Sequence, residues 1–233
     1  MRGHSSIFND VIGPIMVGPS SSHTAGPARI GLMAGQLMKN RIKNVTIVFD
    51  PQGSFAAVNK DQWSDRGFVA GLLGWGPDNR ELNRALEEAA KQGISIELKI
   101  ALLDEKHPNA VLLMLEDETG EIIILKAISL GGGMVQITEV KSFPVSISGD
   151  FFELLIFTHN LSKETLKKLQ IEIGEMLSGF EISSVVMNGE VGLINIKTSN
   201  EVDHQVLCVI NNIEGITGTR LVSPVLPVLS KRD

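Results

Sequence analysis

Residues 181–198 of the chain read EISSVVMNGEVGLINIKT. Runs of β-favouring residues stand on both sides of Asn188-Gly189, and an Asn-Gly pair suits the central positions of the tight turn between two antiparallel strands. The stretch therefore predicts a β-hairpin, with strands over 181–187 and 190–198.

The segments around this hairpin predict a complete β-α-β-β-α-β unit. A nearly all-apolar strand is predicted over 151–158, and Ser162 is placed to cap an amphipathic helix that closes at Gly179. A second helix is predicted over 202–211 and a last strand over 215–222. This order of elements is that of the ferredoxin-like fold.

The sequence pattern of the first half predicts a less regular domain. Helices are predicted over 5–11, 24–40, 65–73 and 79–92, and strands over 44–49, 94–102, 110–115, 121–128 and 134–140. Because antiparallel connections dominate, the fold class is α+β rather than a doubly wound parallel sheet. The predicted domains are residues 1–147, mixed α+β, and residues 148–233, ferredoxin-like.

Composition excludes several classes of function. With 233 residues, 43% of them hydrophobic, the chain can bury a substantial core. Its formal net charge is -6 and its 21 Lys and Arg form no basic run, which argues against nucleic acid as a partner. No apolar stretch reaches the roughly 20 residues of a membrane span, and the start at residues 1–6 leads into no signal-peptide region. We therefore expect a cytoplasmic protein that enters no membrane.

Cys208 is the single cysteine of the sequence. One thiol forms no internal disulfide, which fits a reducing cytoplasm. It also cannot hold an iron–sulfur cluster or a Cys-type zinc ion, both of which need several thiolates. Since the five histidines are scattered without metal-ligand spacing, we predict no metal bound by this chain alone.

Residues 18–31 read GPSSSHTAGPARIG and lead into an apolar helical segment. Ser22 or Thr24 is placed to cap that helix, so hydroxyls and main-chain N–H groups converge at its positive end. Such a loop suits a carboxylate or a phosphate, and His23 adds a group that carries a proton near neutral pH. The alternative is an ordinary capped turn that His23 only braces.

Three further segments are candidate ligand-facing loops. Residues 129–133, SLGGG, join two predicted strands, and three glycines permit close approach of the backbone to a ligand. Residues 107–109, HPN, precede a strand, and residues 52–54, QGS, follow one. Each of the three is equally compatible with a plain turn.

Residues 12–26 closely resemble the beta subunit of iron–sulfur-dependent L-serine dehydratase, as do residues 53–55, 107–109 and 129–133. The first half is similar to the allosteric substrate-binding domain of that family, and the second half to its ACT domain. The resemblance implies conversion of L-serine to pyruvate and ammonia. The serine hydroxyl would bind an iron of a 4Fe-4S cluster that a separate alpha chain carries. This iron would act as the Lewis acid.

The resemblance also implies roles for individual residues. His23 would be catalytic, and the substrate-binding residues would be Ser20, Ser22, Thr24, Gly53 and Ser54. The isolated chain would be inactive, because the cluster comes with the alpha chain. We also expect a homodimer, formed through unpaired apolar edge strands at residues 151–158 and 215–222.

Two departures from the family pattern keep an alternative open. Where the family usually reads Lys-Gly-His-Gly-Thr-Asp, residues 60–65 read KDQWSD. Gln62 thus replaces a histidine suited to removing the α-proton of serine, and a glutamine takes no proton near pH 7. Residues 159–163 lack the Pro-Gly common before the first ACT helix, so an effector site there is open to question. The alternative is a non-catalytic, carboxylate-binding or regulatory homologue.

Overall fold

A computed structural model describes residues 13–226, which form two β-sheets flanked by helices. The arrangement confirms the predicted α+β class. The helix predicted over residues 5–11 lies outside the described residues. Within residues 13–226, no helix combines the length and the apolar character needed to cross a membrane.

The first sheet has six strands in the order β2-β1-β3-β4-β5-β6. The strands are β1 (Ile42–Phe49), β2 (Ser95–Ile100), β3 (Ala110–Asp117), β4 (Ile122–Gly131), β5 (Met134–Val140) and β6 (Phe143–Ile147). Only β1 and β2 run parallel among these pairs; the others are antiparallel, as predicted.

The helices of this half cover one face of the sheet. They are α1 (Gly26–Gln36), α2 (Ser54–Val58), α3 (Ser64–Leu72) and α4 (Ala85–Lys91), with a π-helical turn over Ser21–Ala25 and a 3-10 turn over Leu82–Arg84. Where α1 crosses α3, Gly31 faces Gly71, and a Cβ on either glycine would collide with the backbone of the opposite helix. This close crossing fixes the start of α1, which carries the Ser/His run, against the sheet.

The second sheet has four strands in the order β10-β7-β9-β8. Its elements are β7 (Phe152–His159), α5 (Lys163–Met176), β8 (Phe180–Asn188), β9 (Val191–Thr198), α6 (His204–Asn211) and β10 (Ile216–Val222). The predicted β-α-β-β-α-β order is therefore confirmed. Leu155, Phe157, Leu193 and Val222 of this sheet belong to the same hydrophobic core as the first half, so the two sheets pack as neighbours.

The prediction that residues 151–158 form an edge strand is wrong. The strand at this position, β7, lies between β10 and β9 and is hydrogen-bonded on both sides. The reason is the crossover through α6, which returns the last strand to the free side of the first. The edges of this sheet are β10, as predicted, and β8.

Other differences concern the lengths of elements. The helix predicted over 24–40 begins as a π-turn and ends at Gln36, and the helix predicted over 79–92 begins only at Leu82, as a 3-10 turn. Neither α2 nor β6 was predicted. The strand β6 ends at Ile147, where the sequence places the domain boundary.

Candidate functional site

The Ser/His run forms a single π-helical turn in front of α1. The N–H of Gly26 bonds the carbonyl of Ser21, five residues back, which widens the turn. Its N-cap is Ser20, whose Oγ accepts from the N–H of His23 at 3.2 Å, so the predicted caps Ser22 and Thr24 are wrong. A cap two residues earlier leaves the Ser22 side chain available for other partners. Wide turns of this kind are frequent at functional sites.

His23 lies in the middle of a cluster of hydroxyl groups. Its Nδ1 is 2.8 Å from Ser22 Oγ and its Nε2 is 3.1 Å from Ser54 Oγ. The ring stands edge-on to Phe55, with 5.2 Å between centroids, and only 9% of the residue is exposed. Burial lowers the pKa of His23 below its usual value, so the imidazole is neutral near pH 7.

The Gly-Ser motif packs directly on the His-Pro-Asn loop. The Ser54 N–H donates to the Pro108 carbonyl at 2.8 Å, and its hydroxyl donates to Asn109 Oδ1. Gly53 permits this contact, because a Cβ there would come within 2.8 Å of the Pro108 carbonyl oxygen. Gly53 thus lets the two loops come together.

Ser129 closes the cluster from the first sheet. It is fully buried, and its hydroxyl donates to the Ser22 carbonyl at 2.8 Å. Its N–H donates to the Asn109 carbonyl at 3.0 Å, and the Asn109 Nδ2 donates to the Ser129 carbonyl at 3.3 Å. Gly26 leaves the room for Ser129, since a Cβ on Gly26 would overlap its hydroxyl. Four segments far apart in sequence therefore meet around His23.

The structure places the remaining predicted residues differently. Ser20 Oγ joins the cluster 3.3 Å from Ser22 Oγ, and both serines are partly exposed at its outer side. Thr24 is fully buried, and its hydroxyl donates to the Gln62 carbonyl at 2.8 Å. Of the hydroxyls in the cluster, those of Ser20, Ser22 and Ser54 are thus partly exposed, whereas that of Ser129 is buried.

Residues 62–63 lie at the border of the cluster. Gln62 meets it through its main-chain carbonyl, which Thr24 binds. Trp63 follows with φ of 60°, a left-handed conformation that favours glycine, the residue the resemblance places there. A Cβ on Gly18 would come within 3.1 Å of Trp63 Cε3, so the indole covers the beginning of the Ser/His run.

Arg29 is a buried charged residue beside the 129–133 loop that the sequence analysis missed. It is 2% exposed and lies one helical turn after Gly26, where its Nη1 donates to the Gly133 carbonyl at 2.5 Å. Burial lowers its pKa to about 10, which leaves it positively charged at neutral pH. The available signal was a charged residue within an otherwise apolar helical run. It adds positive charge near the first turn of α1.

The sequence is similar to known proteins over most of its length. A family model described as serine dehydratase beta chain matches residues 6–102. The probable L-serine dehydratase, beta chain, of Bacillus subtilis is 33% identical over 220 residues, covering 91% of this chain and 96% of that protein. The L-serine dehydratase, beta chain, of Peptoniphilus asaccharolyticus is 35% identical over 148 residues, covering 63% and 66% of the two chains. L-serine dehydratase 2 of Escherichia coli is 36% identical over 81 residues, covering 34% of this chain and 17% of that protein.

Proposed function

The chain belongs to the serine dehydratase beta-chain family, and we propose that it is the beta subunit of an iron–sulfur L-serine dehydratase, which converts L-serine to pyruvate and ammonia. The observation that carries the proposal is the convergence of four separate segments on His23. Ser22, Ser54, Asn109 and Ser129 are joined there by hydrogen bonds within one cluster. A plain capped turn requires none of the three distant segments.

The residues of this chain do not fit a cluster of their own. The one thiol, Cys208, is exposed on α6 and lies 3.6 Å from His204 Nδ1, within the second half. Among residues 13–226, no group of three or more His, Cys, Asp or Glu side chains is placed to hold a metal. We therefore propose that a separate alpha chain carries the 4Fe-4S cluster.

The first task of this chain is to bind the carboxylate of the substrate. The partly exposed hydroxyls of Ser20 and Ser22 stand at the N-terminal end of the turn, where main-chain N–H groups and the helix dipole favour negative charge. The buried guanidinium of Arg29 is also positively charged. Both features favour a small carboxylate such as that of L-serine.

The second task is to hold or move a proton. Neutral His23 has one nitrogen without a proton, so it accepts a proton from a neighbouring hydroxyl more readily than an imidazolium ion does. Its burial against Phe55 keeps the ring in one orientation. Ser54 contacts the other ring nitrogen, Nε2, on the side of the ring away from Ser22.

One observation favours a second candidate function. The position at which the family has histidine is Gln62, which takes no proton near neutral pH. A homologue that binds a small carboxylate and regulates a partner, without catalysing the reaction, would keep the Ser/His cluster and lose that base. The intact cluster is compatible with both functions, and a measurement of turnover separates them.

The test combines the purified full chain with a candidate cysteine-bearing alpha chain under anaerobic conditions. Pyruvate formation from L-serine supports the enzyme, and calorimetric binding of L-serine without turnover supports the regulatory homologue. His23→Ala should weaken serine binding, because it removes the partner that orients the Ser22 hydroxyl, and a hydrogen bond to a charged group is worth on the order of 1.5–3 kcal/mol. The matched control is His159→Ala, which alters a half-exposed histidine of the second sheet. If neither turnover nor binding is found, the proposal is wrong.

We further propose that the second half is an ACT-like domain and that the chain forms a homodimer through it. The four-stranded order β10-β7-β9-β8 supports the first point, since ferredoxin-like units share it. Exposed apolar side chains on and beside the edge strand β8 support the second, among them Phe180 and Ile182.

A further inference from the structure

The amide of Asn109 fixes the direction of the hydrogen bonds around His23. Its Nδ2 lies 3.3 Å from the main-chain carbonyl oxygen of Ser129. A carbonyl oxygen only accepts hydrogen bonds, so the amide turns its NH2 group toward Ser129 and its Oδ1 toward Ser54. The opposite orientation would bring two acceptor oxygens together.

The main chain holds Asn109 in this position from both sides. Its N–H donates to His107 Nδ1 at 3.1 Å, and its carbonyl accepts from the N–H of Ser129 at 3.0 Å. The neighbouring Pro108 carbonyl accepts from the N–H of Ser54 at 2.8 Å. The Asn109 side chain therefore reaches Ser54 from a rigid base.

The hydroxyl of Ser54 transmits this direction to His23. Ser54 has one hydroxyl proton, and Asn109 Oδ1 accepts it. The Ser54 oxygen thus faces His23 Nε2, 3.1 Å away, with lone pairs only. A neutral imidazole carries its proton on one nitrogen, and only a proton on Nε2 makes this contact a hydrogen bond.

The opposite nitrogen of His23 is then free to accept. Its Nδ1 lies 2.8 Å from Ser22 Oγ, so the Ser22 hydroxyl donates to it. The next hydroxyl, that of Ser20, lies 3.3 Å from Ser22 Oγ and is left to donate to it. The basic nitrogen therefore points to the hydroxyls of Ser22 and Ser20.

We propose that Asn109 is a positioning residue that, through Ser54, holds His23 in the Nε2–H tautomer and directs its basic Nδ1 at Ser22. A consequence follows that rests on the proposed function. A proton given by the substrate to Ser22 Oγ releases the proton of Ser22 to His23 Nδ1, so one proton passes from substrate to imidazole. Nε2 keeps its own proton throughout, and that proton stays hydrogen-bonded to Ser54 Oγ.

The test is a measurement of the tautomer by nuclear magnetic resonance on the full chain with 15N-labelled histidine. The His23 signals are assigned by their loss in His23→Gln, at a pH where the ring is neutral. In the wild type we expect the proton on Nε2. Asn109→Ala should lower the ratio of Nε2–H to Nδ1–H by about tenfold, the effect of losing one hydrogen bond that favours one form. Ser54→Ala should lower it in the same direction.

Asn109→Asp separates positioning from a merely structural role. A carboxylate still accepts from Ser54, so this variant should retain the Nε2–H tautomer, although it loses the donor to Ser129. Its negative charge should also raise the pKa of His23. If Asn109 served only to hold the loops together, Asn109→Asp would disturb His23 at least as much as Asn109→Ala. The control is Asn211→Ala on the exposed face of α6, which should change neither the tautomer ratio nor the pKa of His23.

Several results overturn the inference: a wild-type proton on Nδ1, an unchanged ratio in folded Asn109→Ala, or loss of the tautomer in Asn109→Asp alone. If Asn109→Ala does not fold, the wild-type tautomer and the Ser54→Ala shift decide. These readings need no alpha chain and no turnover. Failure of the deamination assay with an intact tautomer would therefore count against the proposed function, and not against the role of Asn109.

Discussion

At the scale of single residues, Gln62 is the position that separates the two proposed functions. Its main-chain carbonyl accepts a hydrogen bond from the Thr24 hydroxyl, which places position 62 next to the Ser/His turn. Trp63 next to it keeps a left-handed conformation that costs a non-glycine residue energy.

Gln62→His should supply the base that the sequence lacks. With the alpha chain present, we expect pyruvate formation to rise by about 10²–10⁴-fold, the usual contribution of a positioned general base, with little change in serine affinity. Steady-state kinetics separates the two effects. Gln52→His, in the exposed turn after β1, is the matched control and should leave the rate unchanged. An unchanged rate in Gln62→His would mean that position 62 does not limit the reaction.

Glu153 makes the stability of the second sheet depend on pH. It is fully buried beside Asn195, 2.8 Å away, and Lys197, 3.1 Å away, and burial raises its pKa to about 7. The folded chain thus holds a proton that the unfolded chain releases, so the free energy of unfolding falls as pH rises from the unfolded pKa toward 7. The loss attributable to Glu153 is on the order of 3 kcal/mol.

Glu153→Gln should remove this part of the pH dependence. Urea unfolding of both proteins at several pH values gives the difference between them, which should grow as pH rises through this window and level off above it. Lys197 is kept in both proteins, so its charge is common to them. A difference that stays constant with pH would contradict the buried, protonated Glu153.

Sequence patterns located the site's segments but not the bonds between them. The Ser/His run and the three loops were recognised from Gly, Pro and polar residues, and all four segments meet in the structure. Asn109 and Ser129 were noted only as loop members, because their partners lie far away in sequence. The cap at Ser20 escapes prediction because the helical turn begins at Ser21, before the apolar run that indicates the helix.

At the scale of elements, the crossing of α1 and α3 sets the position of the Ser/His turn. Gly31 and Gly71 let the helix backbones touch, and Gly67 lies against the Thr24 carbonyl in the same way. Two short elements escaped prediction for physical reasons. The helix α2 has five residues, too few to show a period, and β6 contains Pro144, which is tolerated because β6 is an edge strand.

Gly71→Ala should destabilise the chain, although alanine is the better helix former. The added Cβ would meet the Ala28 carbonyl and the Cα of Gly31, which are main-chain atoms that cannot move aside. We expect a loss of about 1–3 kcal/mol, typical of overpacking. Serine binding should weaken too, because α1 carries the Ser/His turn.

The control for that prediction is Gly174→Ala in α5. A Cβ there would meet the Phe180 ring at 3.5 Å, an ordinary contact. We expect a gain of about 0.5–1 kcal/mol from helix propensity. Thermal and urea unfolding measure both variants. Equal effects of the two substitutions would contradict the account of the α1–α3 crossing.

At the scale of the whole molecule, the second half holds the far end of α1. Arg220 of β10 donates through Nε to the Leu37 carbonyl at 2.6 Å and also pairs with Glu121, the residue just before β4. The Ser223 N–H donates to Gln36 Oε1 at 2.6 Å. The helix that begins at the Ser/His turn therefore ends on the second half.

The chain should self-associate through β8, the exposed edge of the second sheet. Ile182 on β8 is 51% exposed and Ile171 on the adjacent α5 is 62% exposed, and a bare apolar edge favours pairing with a second copy about a two-fold axis. Ile182→Lys places a charge on this edge and should convert a dimer to a monomer in sedimentation at micromolar concentration. Ile122→Lys, at a 48% exposed position on the first sheet, should leave the dimer intact. A monomeric wild type would contradict self-association. A dimer that survives Ile182→Lys but not Ile122→Lys would place the contact on the first sheet.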